Sequence, residues 1–207
     1  MNAGFVIFDQ AEELDFVGPW EMFTMWAKVA SGPQCHMVAQ AMEPVVCAKG
    51  MSVNPSVDFE HCPPLDYLIV PGGQGTRIEV DNPVLIEFIA KQASGCKAVL
   101  SVCTGSFLLH AGGLLSGKRA TTHWGSLDRL RALGTVEVVE ERVVRDFNIW
   151  TGAGVSAGID LALAFIAHEV GDDVAGQVQL AAEYYPSSRS YGGSQNNPRA
   201  PGHIRGL

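Results

Sequence analysis

Hydrophobic residues in this chain occur in short continuous runs separated by glycine, proline and charged residues. Runs of four or five consecutive apolar residues predict strands, and the most apolar of these runs are typical of strands buried on both faces of a sheet. The main predicted strands are residues 4–8, 35–39, 67–70, 98–102 and 148–151. Shorter extended segments are predicted at residues 45–48 and 51–54 (a hairpin), 121–124, 136–139 and 143–145.

Apolar residues at helical spacing alternate with these strands. Asn82 followed by Pro83 is a typical helix start, because the Asn side chain caps the first N–H groups and Pro suits the first turn. The predicted helices are residues 20–29, 83–93, 106–111, 126–133, 156–170 and 174–185. Strands that alternate with helices predict an α/β protein with a doubly wound, mostly parallel sheet sandwiched by helices. We expect a single domain over residues 1–185 and an irregular C-terminal tail over residues 186–207.

Composition narrows the classes of partner. Charged residues make up 17% of the 207 residues and the net charge is −8, with no basic cluster. An acidic protein is a poor partner for nucleic acid or for an anionic membrane surface. A small-molecule substrate is expected instead, because ligands of doubly wound sheets bind beyond the carboxyl ends of the strands. The five cysteines form no C-x-x-C pair, and the first fifteen residues lack a signal-peptide pattern, which favours reduced thiols and a cytoplasmic protein. The six histidines share no metal-ligand spacing, so no metal is expected.

One cysteine has a position that sets it apart from the other four. Cys103 directly follows the apolar run at residues 98–102, and Gly105 opens a helical pattern immediately afterwards. An abrupt strand-to-helix turn holds its central residue in a strained conformation and projects the side chain away from the sheet. The positive end of the helix dipole is expected to lower the pKa of the thiol. We predict that Cys103 is the reactive centre and that the other four cysteines pack or lie on the surface.

Candidates to join this thiol lie at other predicted strand ends, where ligands of doubly wound sheets bind. The N–H groups of Gly72 and Gly73 are a candidate anion-stabilising hole, although a plain glycine turn explains them equally. Asp15 is a candidate acid/base whose pKa burial would raise; the alternative is a solvated loop acid or a helix cap. Thr104 offers a hydroxyl and an N–H beside the thiol, or simply opens the helix. His123 borders the pocket or is a structural histidine.

Seven sequence blocks extend this picture. They are LDFVGP at 14–19, IVPGG at 69–73, SVCTGS at 101–106, AGGLL at 111–115, RATTHW at 119–124, ERVVRD at 141–146 and SAGID at 156–160. Together, from residue 4 to about residue 185, they resemble the ThiJ/PfpI superfamily, which has the class I glutamine amidotransferase-like, flavodoxin-like fold. Within it they are most similar to isocyanide (isonitrile) hydratases.

The resemblance implies a specific chemistry. The Cys103 thiolate would attack the terminal carbon of an isocyanide to give a thioimidate, with Asp15 as proton donor and then as the base that activates water. Thr104 would position the nitrogen end or the water, and the amides of Gly72 and Gly73 would orient the substrate. The product would be an N-substituted formamide, with no metal or organic cofactor. The resemblance also implies a homodimer.

Two other functions, and the role of Trp150, stay open from the sequence. A glyoxalase-like or deglycase-like activity on small aldehydes would use the same thiol, with His123 moving protons beside the carbonyl. A redox-sensing or ligand-binding protein without turnover would keep Cys103 for oxidation or binding. Trp150 either lines an apolar substrate pocket or packs in the core.

Overall fold

In the computed structural model, which describes residues 1–186, 192 and 194–205, strands and helices alternate along most of the chain. The strands are β1 (Asn2–Val6), β2 (Gln34–Ala39), β3 (Val45–Val46), β4 (Ser52–Val53), β5 (Val57–Asp58), β6 (Tyr67–Val70), β7 (Ala98–Val102), β8 (Arg119–Ala120), β9 (Glu137–Val138), β10 (Val143–Asp146) and β11 (Ile149–Gly152). The helices are α1 (Glu13–Ala30), α2 (Thr76–Glu79), α3 (Pro83–Ala93), α4 (Gly105–Ala111), α5 (Leu127–Ala132), α6 (Ala157–Val170), α7 (Asp172–Ala181) and α8 (Gly202–Arg205). Short 3-10 turns span Trp124–Ser126 and Ser194–Asn196.

Seven of these strands form the central sheet in the order β10-β11-β7-β6-β1-β2-β5. Every neighbouring pair is parallel except β10 and β11, which form an antiparallel hairpin at one edge. The pairs β3–β4 and β8–β9 are separate two-stranded units. The doubly wound, mostly parallel sheet predicted from the sequence is confirmed. Its parallel strands end at one edge, which brings the turns after β1, β6 and β7 together.

Helices cover both faces of the sheet. On the face of α1, α6 and α7, the rings of Phe23 and Phe165 stack with their centroids 5.7 Å apart. The opposite face carries a second core that includes Ile89 of α3, Leu108 of α4 and Val99 of β7. All residues of β6 and β7 are buried. Burial on both faces explains why these strands appear in the sequence as continuous apolar runs instead of alternating patterns.

Helix α1 begins earlier than predicted. It starts at Glu13, where the sequence pattern predicted a polar loop and a helix from residue 20. Pro19 therefore lies inside the helix, where it removes the N–H that would bond to the carbonyl of Asp15. Burial of Phe16 and Pro19 offsets that loss. The correction matters because it places Asp15 in the first turn of a helix, a defined position relative to the sheet.

Smaller differences concern short elements. The sequence pattern missed β5 and α2, which have two and four residues and too few positions to show a period. The segment predicted to be extended at 121–124 leads into a 3-10 turn, and α7 ends at Ala181, four residues before the predicted end.

The predicted tail over residues 186–207 lies partly outside the described residues. Its described part contains the 3-10 turn Ser194–Asn196 and the four-residue helix α8, which are regular elements that the sequence pattern did not predict. The division into one domain over residues 1–185 and a tail stays a proposal. None of the helices in the described ranges combines the length and the hydropathy that crossing a membrane requires.

Candidate active site

Cys103 occupies the turn between β7 and α4. Its φ is +57°, a left-handed conformation that is uncommon for a residue with a side chain. Four hydrogen bonds hold the strained turn. The Cys103 N–H is shared between the carbonyls of Ala153 at 2.8 Å and Gly152 at 3.1 Å, and the Cys103 carbonyl accepts from the hydroxyls of Thr122 at 2.8 Å and Ser106 at 3.3 Å. The backbone geometry of the predicted turn is thus present, and neighbouring elements maintain it.

Asp15, in the first turn of α1, lies beside this thiol. Its side chain is completely buried, and Oδ2 accepts a hydrogen bond from the N–H of Gly72 at 2.8 Å. Oδ1 accepts no hydrogen bond from any residue in the described part of the chain. The Cys103 thiol is close enough to lower the pKa of the carboxyl. Burial is the largest influence and raises the pKa of Asp15 from 3.8 to about 7. At neutral pH this carboxyl is therefore suited both to accept and to donate a proton.

The pKa of the Cys103 thiol differs from the sequence prediction. We expected the helix dipole to lower it, but burial raises the pKa of Cys103 from 9.0 to about 12, and the charge of Asp15 acts in the same direction. The N–H groups of Thr104 and Val155, together with the Thr104 hydroxyl, lower this pKa without reversing the shift. That prediction is wrong because desolvation of the thiolate outweighs the nearby donors. The resting thiol therefore keeps its proton until a base removes it, and Asp15 is the adjacent base.

The amides of Gly72 and Gly73 do not form the predicted anion-stabilising hole. The Gly72 N–H donates to Asp15 Oδ2, and the Gly73 N–H donates to Thr104 Oγ1 at 3.0 Å. Because both donors are occupied by side chains of the site, they hold the acid and the threonine in position. A Cβ at position 72 would lie 2.4 Å from the Thr104 nitrogen and 2.9 Å from Asp15 Oδ2, so only glycine allows this close approach.

Thr104 links the thiol to the loop after β6. Its Oγ1 accepts from the N–H of Gly73 and from the hydroxyl of Thr76 at 3.1 Å. The Thr76 hydroxyl shares its single proton between Thr104 Oγ1 and the nearer Gly73 carbonyl, 2.8 Å away. Acceptors within reach of the Thr104 proton are the Cys103 sulfur and the Gly73 carbonyl, 3.3 Å away. The structure brings Thr104 next to the thiol, as the sequence suggested.

His123 borders the same space. Its Nδ1 accepts a hydrogen bond from the N–H of Gly125 at 3.1 Å, which assigns the ring proton to Nε2. Partial burial lowers the pKa of His123, so the ring is neutral near pH 7. His123 is thus a neutral N–H donor at the wall of the site.

An open cavity of about 280 Å³ leads to the thiol. Its volume is close to the lower end of typical small-molecule sites, about 300–1,000 Å³. The lining residues are Glu12, Gly73, Gln74, Arg77, Cys103, Thr104, His123, Gly125, Ser126 and Val155.

Sequence reasoning missed six of these lining residues. Two of them, Gly125 and Ser126, directly follow the sequence block at 119–124. Glu12, Gln74 and Arg77 lie one to four residues from motifs that the sequence had singled out, so extending each strand-end motif by one turn would have found them. Val155 has a φ of +46°, which is a strained value for a β-branched residue and leaves no signature in the sequence.

Trp150 does not line this cavity. It lies in β11, is 6% exposed, and packs edge-on against Phe165 with ring centroids 5.7 Å apart. The expected substrate-binding role is therefore wrong, because the side chain points into the core on the α6 face of the sheet.

Within residues 1–186, 192 and 194–205, no three His, Cys, Asp or Glu side chains cluster in a way that could hold a metal ion. A reaction without metal or organic cofactor stays a prediction from the resemblance.

Comparisons with known proteins identify the family of this chain. Residues 1–168 match the DJ-1/PfpI family. The chain is 43% identical to the isonitrile hydratase of Pseudomonas putida over 90% of this chain and 80% of that protein, and 31% identical to a deglycase of Pyrococcus abyssi over 71% and 86%. A crystal structure of a THiJ/PfpI family protein from Pseudomonas syringae superimposes with a TM-score of 0.86 at 35% identity, covering 99% of this chain and 83% of that one. The chain belongs to the DJ-1/PfpI family.

Proposed function

We propose that this protein hydrates isocyanides to N-substituted formamides, with Cys103 as nucleophile and Asp15 as acid and base. The observation that carries the proposal is the pairing of a thiol at a strained turn with a fully buried carboxyl whose pKa is about 7. An isocyanide carbon must receive both a nucleophile and a proton. Cys103 lines the cavity, and Asp15 is buried behind the lining, next to the thiol. The 43% identity to an isonitrile hydratase supports the same reaction.

In the first half-reaction, the Asp15 carboxylate takes the proton from the Cys103 thiol as the sulfur forms a bond to the terminal carbon. The carboxylic acid then gives this proton to the same carbon. The product is a thioimidate, in which the carbon carries the sulfur, one hydrogen and a double bond to nitrogen. The carboxylate is regenerated, so no net proton enters or leaves the site. A carboxyl with a pKa near 7 is matched to both transfers.

In the second half-reaction, Asp15 removes a proton from water while the oxygen adds to the thioimidate carbon, and it passes that proton to the nitrogen. The resulting intermediate carries sulfur, hydroxyl, hydrogen and the amine nitrogen on one carbon. It collapses by cleavage of the carbon–sulfur bond. The hydroxyl proton returns to the sulfur through Asp15, which releases the formamide and restores the Cys103 thiol.

Two further side chains support the orientation of the substrate. The Thr104 hydroxyl has its proton available beside the sulfur and can donate to the substrate nitrogen or to the attacking water. The Nε2–H of His123 is a second donor at the cavity wall. Both groups are neutral, so they orient polar atoms without opposing proton exchange at Asp15.

The test is to follow formamide production from a small aromatic isocyanide by absorbance. We compare the wild-type protein with Cys103→Ala and Asp15→Asn. The proposal predicts loss of turnover in Cys103→Ala and a loss of about 10²–10⁴-fold in Asp15→Asn, the range for removal of a general acid/base. Equal rates in all three proteins would contradict the proposal.

A second candidate is a glyoxalase-like or deglycase-like activity on small aldehydes. The similarity to the Pyrococcus abyssi deglycase and the His123 N–H at the cavity wall favour it. Chemistry beside a carbonyl would make His123 essential for proton transfer, whereas the hydration above uses it only for orientation. His123→Ala separates the two candidates: loss of methylglyoxal consumption supports the second, and a hydratase that tolerates this change better than Asp15→Asn supports the first.

We also propose a homodimer in the cytoplasm. Three exposed apolar side chains lie near one another in the fold: Leu14 at the start of α1 is 37% exposed, and Val46 and Met51 on the hairpin β3–β4 are 48% and 40% exposed. The Glu13 carboxylate connects α1 to this hairpin by accepting a hydrogen bond from the Lys49 N–H at 2.7 Å. An exposed apolar group of this kind favours association with a second copy. The five free cysteines are typical of a reducing compartment. Light scattering of the wild type and of Val46→Glu tests the dimer.

A further inference from the structure

Arg77 is a guanidinium without a partner at the wall of the reactive cavity. It lies on α2, is exposed, and lines the same cavity as Cys103. Among the cavity residues that the structure describes, it is the one lysine or arginine. Its side chain makes no hydrogen bond or ion pair with any described residue. A guanidinium presents five N–H donors in a fixed fork that matches a carboxylate.

The acid that shares the cavity with Arg77 is already paired. Glu12 lines the cavity, but its Oε1 bonds to the ammonium of Lys49. Its side chain is 16% exposed, so this pair is partly shielded from water. Glu79, two residues after Arg77 on α2, accepts a hydrogen bond from the Asn82 side chain at 2.7 Å. The charge of Glu12 is thus balanced by Lys49, and Glu79 bonds to Asn82 and makes no ion pair with Arg77. The guanidinium of Arg77 therefore keeps its N–H donors free for a ligand at the cavity.

The backbone of α2 is connected to the residue beside the nucleophile. The hydroxyl of Thr76, the residue before Arg77, bonds to Thr104 Oγ1 at 3.1 Å and to the Gly73 carbonyl at 2.8 Å. Thr76 is 1% exposed, so these bonds are protected from water. The backbone at Arg77 is therefore held next to Thr104, the residue that follows Cys103, and its side chain lines the same cavity as the sulfur.

We propose that Arg77 selects isocyanides that carry a carboxylate. This inference rests on the proposed hydration for the reacting group and adds the part of the substrate that lies at the cavity mouth. The isocyano carbon is at the sulfur, and the carboxylate is at the guanidinium, with the Nε2–H of His123 beside the path between them. A single guanidinium suits a planar group with one negative charge. A phosphate would call for further cationic or backbone donors, and Arg77 is the one cation among the described lining residues.

The test measures binding and turnover separately. Calorimetry measures the binding of 4-formamidobenzoate and of formanilide, which are the hydration products of 4-isocyanobenzoate and phenyl isocyanide. The proteins are the wild type, Arg77→Gln, Arg77→Lys and the matched control Lys91→Gln, which removes an exposed positive charge from the last turn of α3. The values of kcat/KM for the two isocyanides are then compared in the same four proteins.

We expect the wild type to bind the carboxylate compound about five-fold more tightly than formanilide, a modest preference because the contact is exposed to solvent. Arg77→Gln removes the preference, Arg77→Lys keeps part of it, and Lys91→Gln leaves it unchanged. The preference declines as salt is raised. In turnover, the same change is expected in the KM for 4-isocyanobenzoate, and Lys91→Gln leaves the kinetic constants of both isocyanides unchanged.

Two outcomes overturn the inference: a wild type that binds both compounds equally, or a preference that survives in Arg77→Gln. The hydratase proposal fails in a different way. If neither isocyanide is turned over but carboxylate binding depends on Arg77, the proposed reaction is wrong and the selection of a carboxylate stands.

Discussion

The two ends of strand β7 carry cysteines with similar burial and different surroundings. At the amino end, Cys96 is 9% exposed, its pKa is raised to about 12, and its thiol donates to the Leu65 carbonyl at 3.3 Å. At the carboxyl end, Cys103 is 6% exposed and its pKa is also raised to about 12. Burial is the main cause at both ends. Neither the exposure nor the pKa of the thiol therefore distinguishes Cys103, the proposed nucleophile, from Cys96.

The acids near the two thiols differ in the direction of their pKa shifts. Asp66, near Cys96, accepts a hydrogen bond from the Asn2 N–H and pairs with Lys97, and its pKa is lowered. Asp15, beside Cys103, is buried, and its pKa is raised to about 7. Only the second acid exchanges protons at neutral pH. The comparison indicates that a proton partner, together with a cavity, makes a buried thiol useful for chemistry.

The largest expected effect separates the two cysteines. Cys103→Ala removes the nucleophile and is expected to lower isocyanide turnover by at least about 10³-fold, on the scale of nucleophile removal in other enzymes. Cys96→Ala removes one weak hydrogen bond and costs about 1 kcal/mol of stability, with turnover nearly unchanged. The measurement is formamide production at equal protein concentrations. Comparable losses in the two variants would show that the position at the carboxyl end of β7 has no special role.

A second prediction concerns stability and pH. The folded protein keeps the proton on Asp15 up to about pH 7, whereas the unfolded chain releases it near the ordinary value of 3.8. Between these values the unfolded state binds fewer protons, so the free energy of unfolding falls as pH rises and levels off above about pH 7. A shift of this size corresponds to about 4 kcal/mol. Asp15→Asn lacks the ionisable group, and its Oδ1 can still accept from the Gly72 N–H.

Urea unfolding of the wild type and Asp15→Asn between pH 4.5 and pH 8 measures this effect. The variant is expected to become the more stable of the two as pH rises. Asp66→Asn is the control at the other end of β7. There the folded pKa is lowered, so the native acid stabilises the protein above its unfolded pKa and loses this contribution as pH falls. A pH-independent difference between the wild type and Asp15→Asn would mean that Asp15 is not held protonated by burial.

A smaller loss of turnover is expected when a glycine beside the Cys103 end of β7 is replaced, and a glycine near the Cys96 end is the control. Gly72→Ala places a methyl group 2.4 Å from the Thr104 nitrogen and displaces Asp15, with an expected loss of about 10- to 100-fold in turnover. Gly95→Ala, in the loop before β7, meets nothing closer than the Gln92 carbonyl at 3.8 Å and is expected to be neutral. Both variants are assayed for turnover and thermal stability. If Gly72→Ala retains full turnover, the close approach at position 72 does not position the acid.

The sequence predicted the sheet and the strand-to-helix turn at Cys103 because both depend on local patterns. Buried strands such as β6 and β7 appear as apolar runs, and the glycine two residues after Cys103 marks the turn that the structure contains. The same local reasoning failed for the pKa of this thiol. The helix dipole is visible in the sequence, but the desolvation that outweighs it depends on packing from β11 and α6, which are distant in the chain.

Contacts between distant residues account for the other differences. Gly72 and Gly73 were assigned to an anion hole because their N–H groups were expected to be free, yet Asp15 and Thr104 occupy them from other elements. Trp150 was a pocket candidate by residue type, and its direction from β11 became known only with the register of the sheet. Whether a donor is free, or which face a side chain occupies, is decided by tertiary packing.

The pH dependence of kcat/KM for a small aromatic isocyanide tests most directly whether Asp15 exchanges the proton of Cys103. Because the carboxylate form must accept that proton, kcat/KM is predicted to rise with pH, with a midpoint near 7 set by Asp15. Asp15→Asn is predicted to lose both the midpoint and most of the activity. A wild-type profile that is flat through pH 7, or a midpoint that is unchanged in Asp15→Asn, would contradict the pairing of this acid with this thiol.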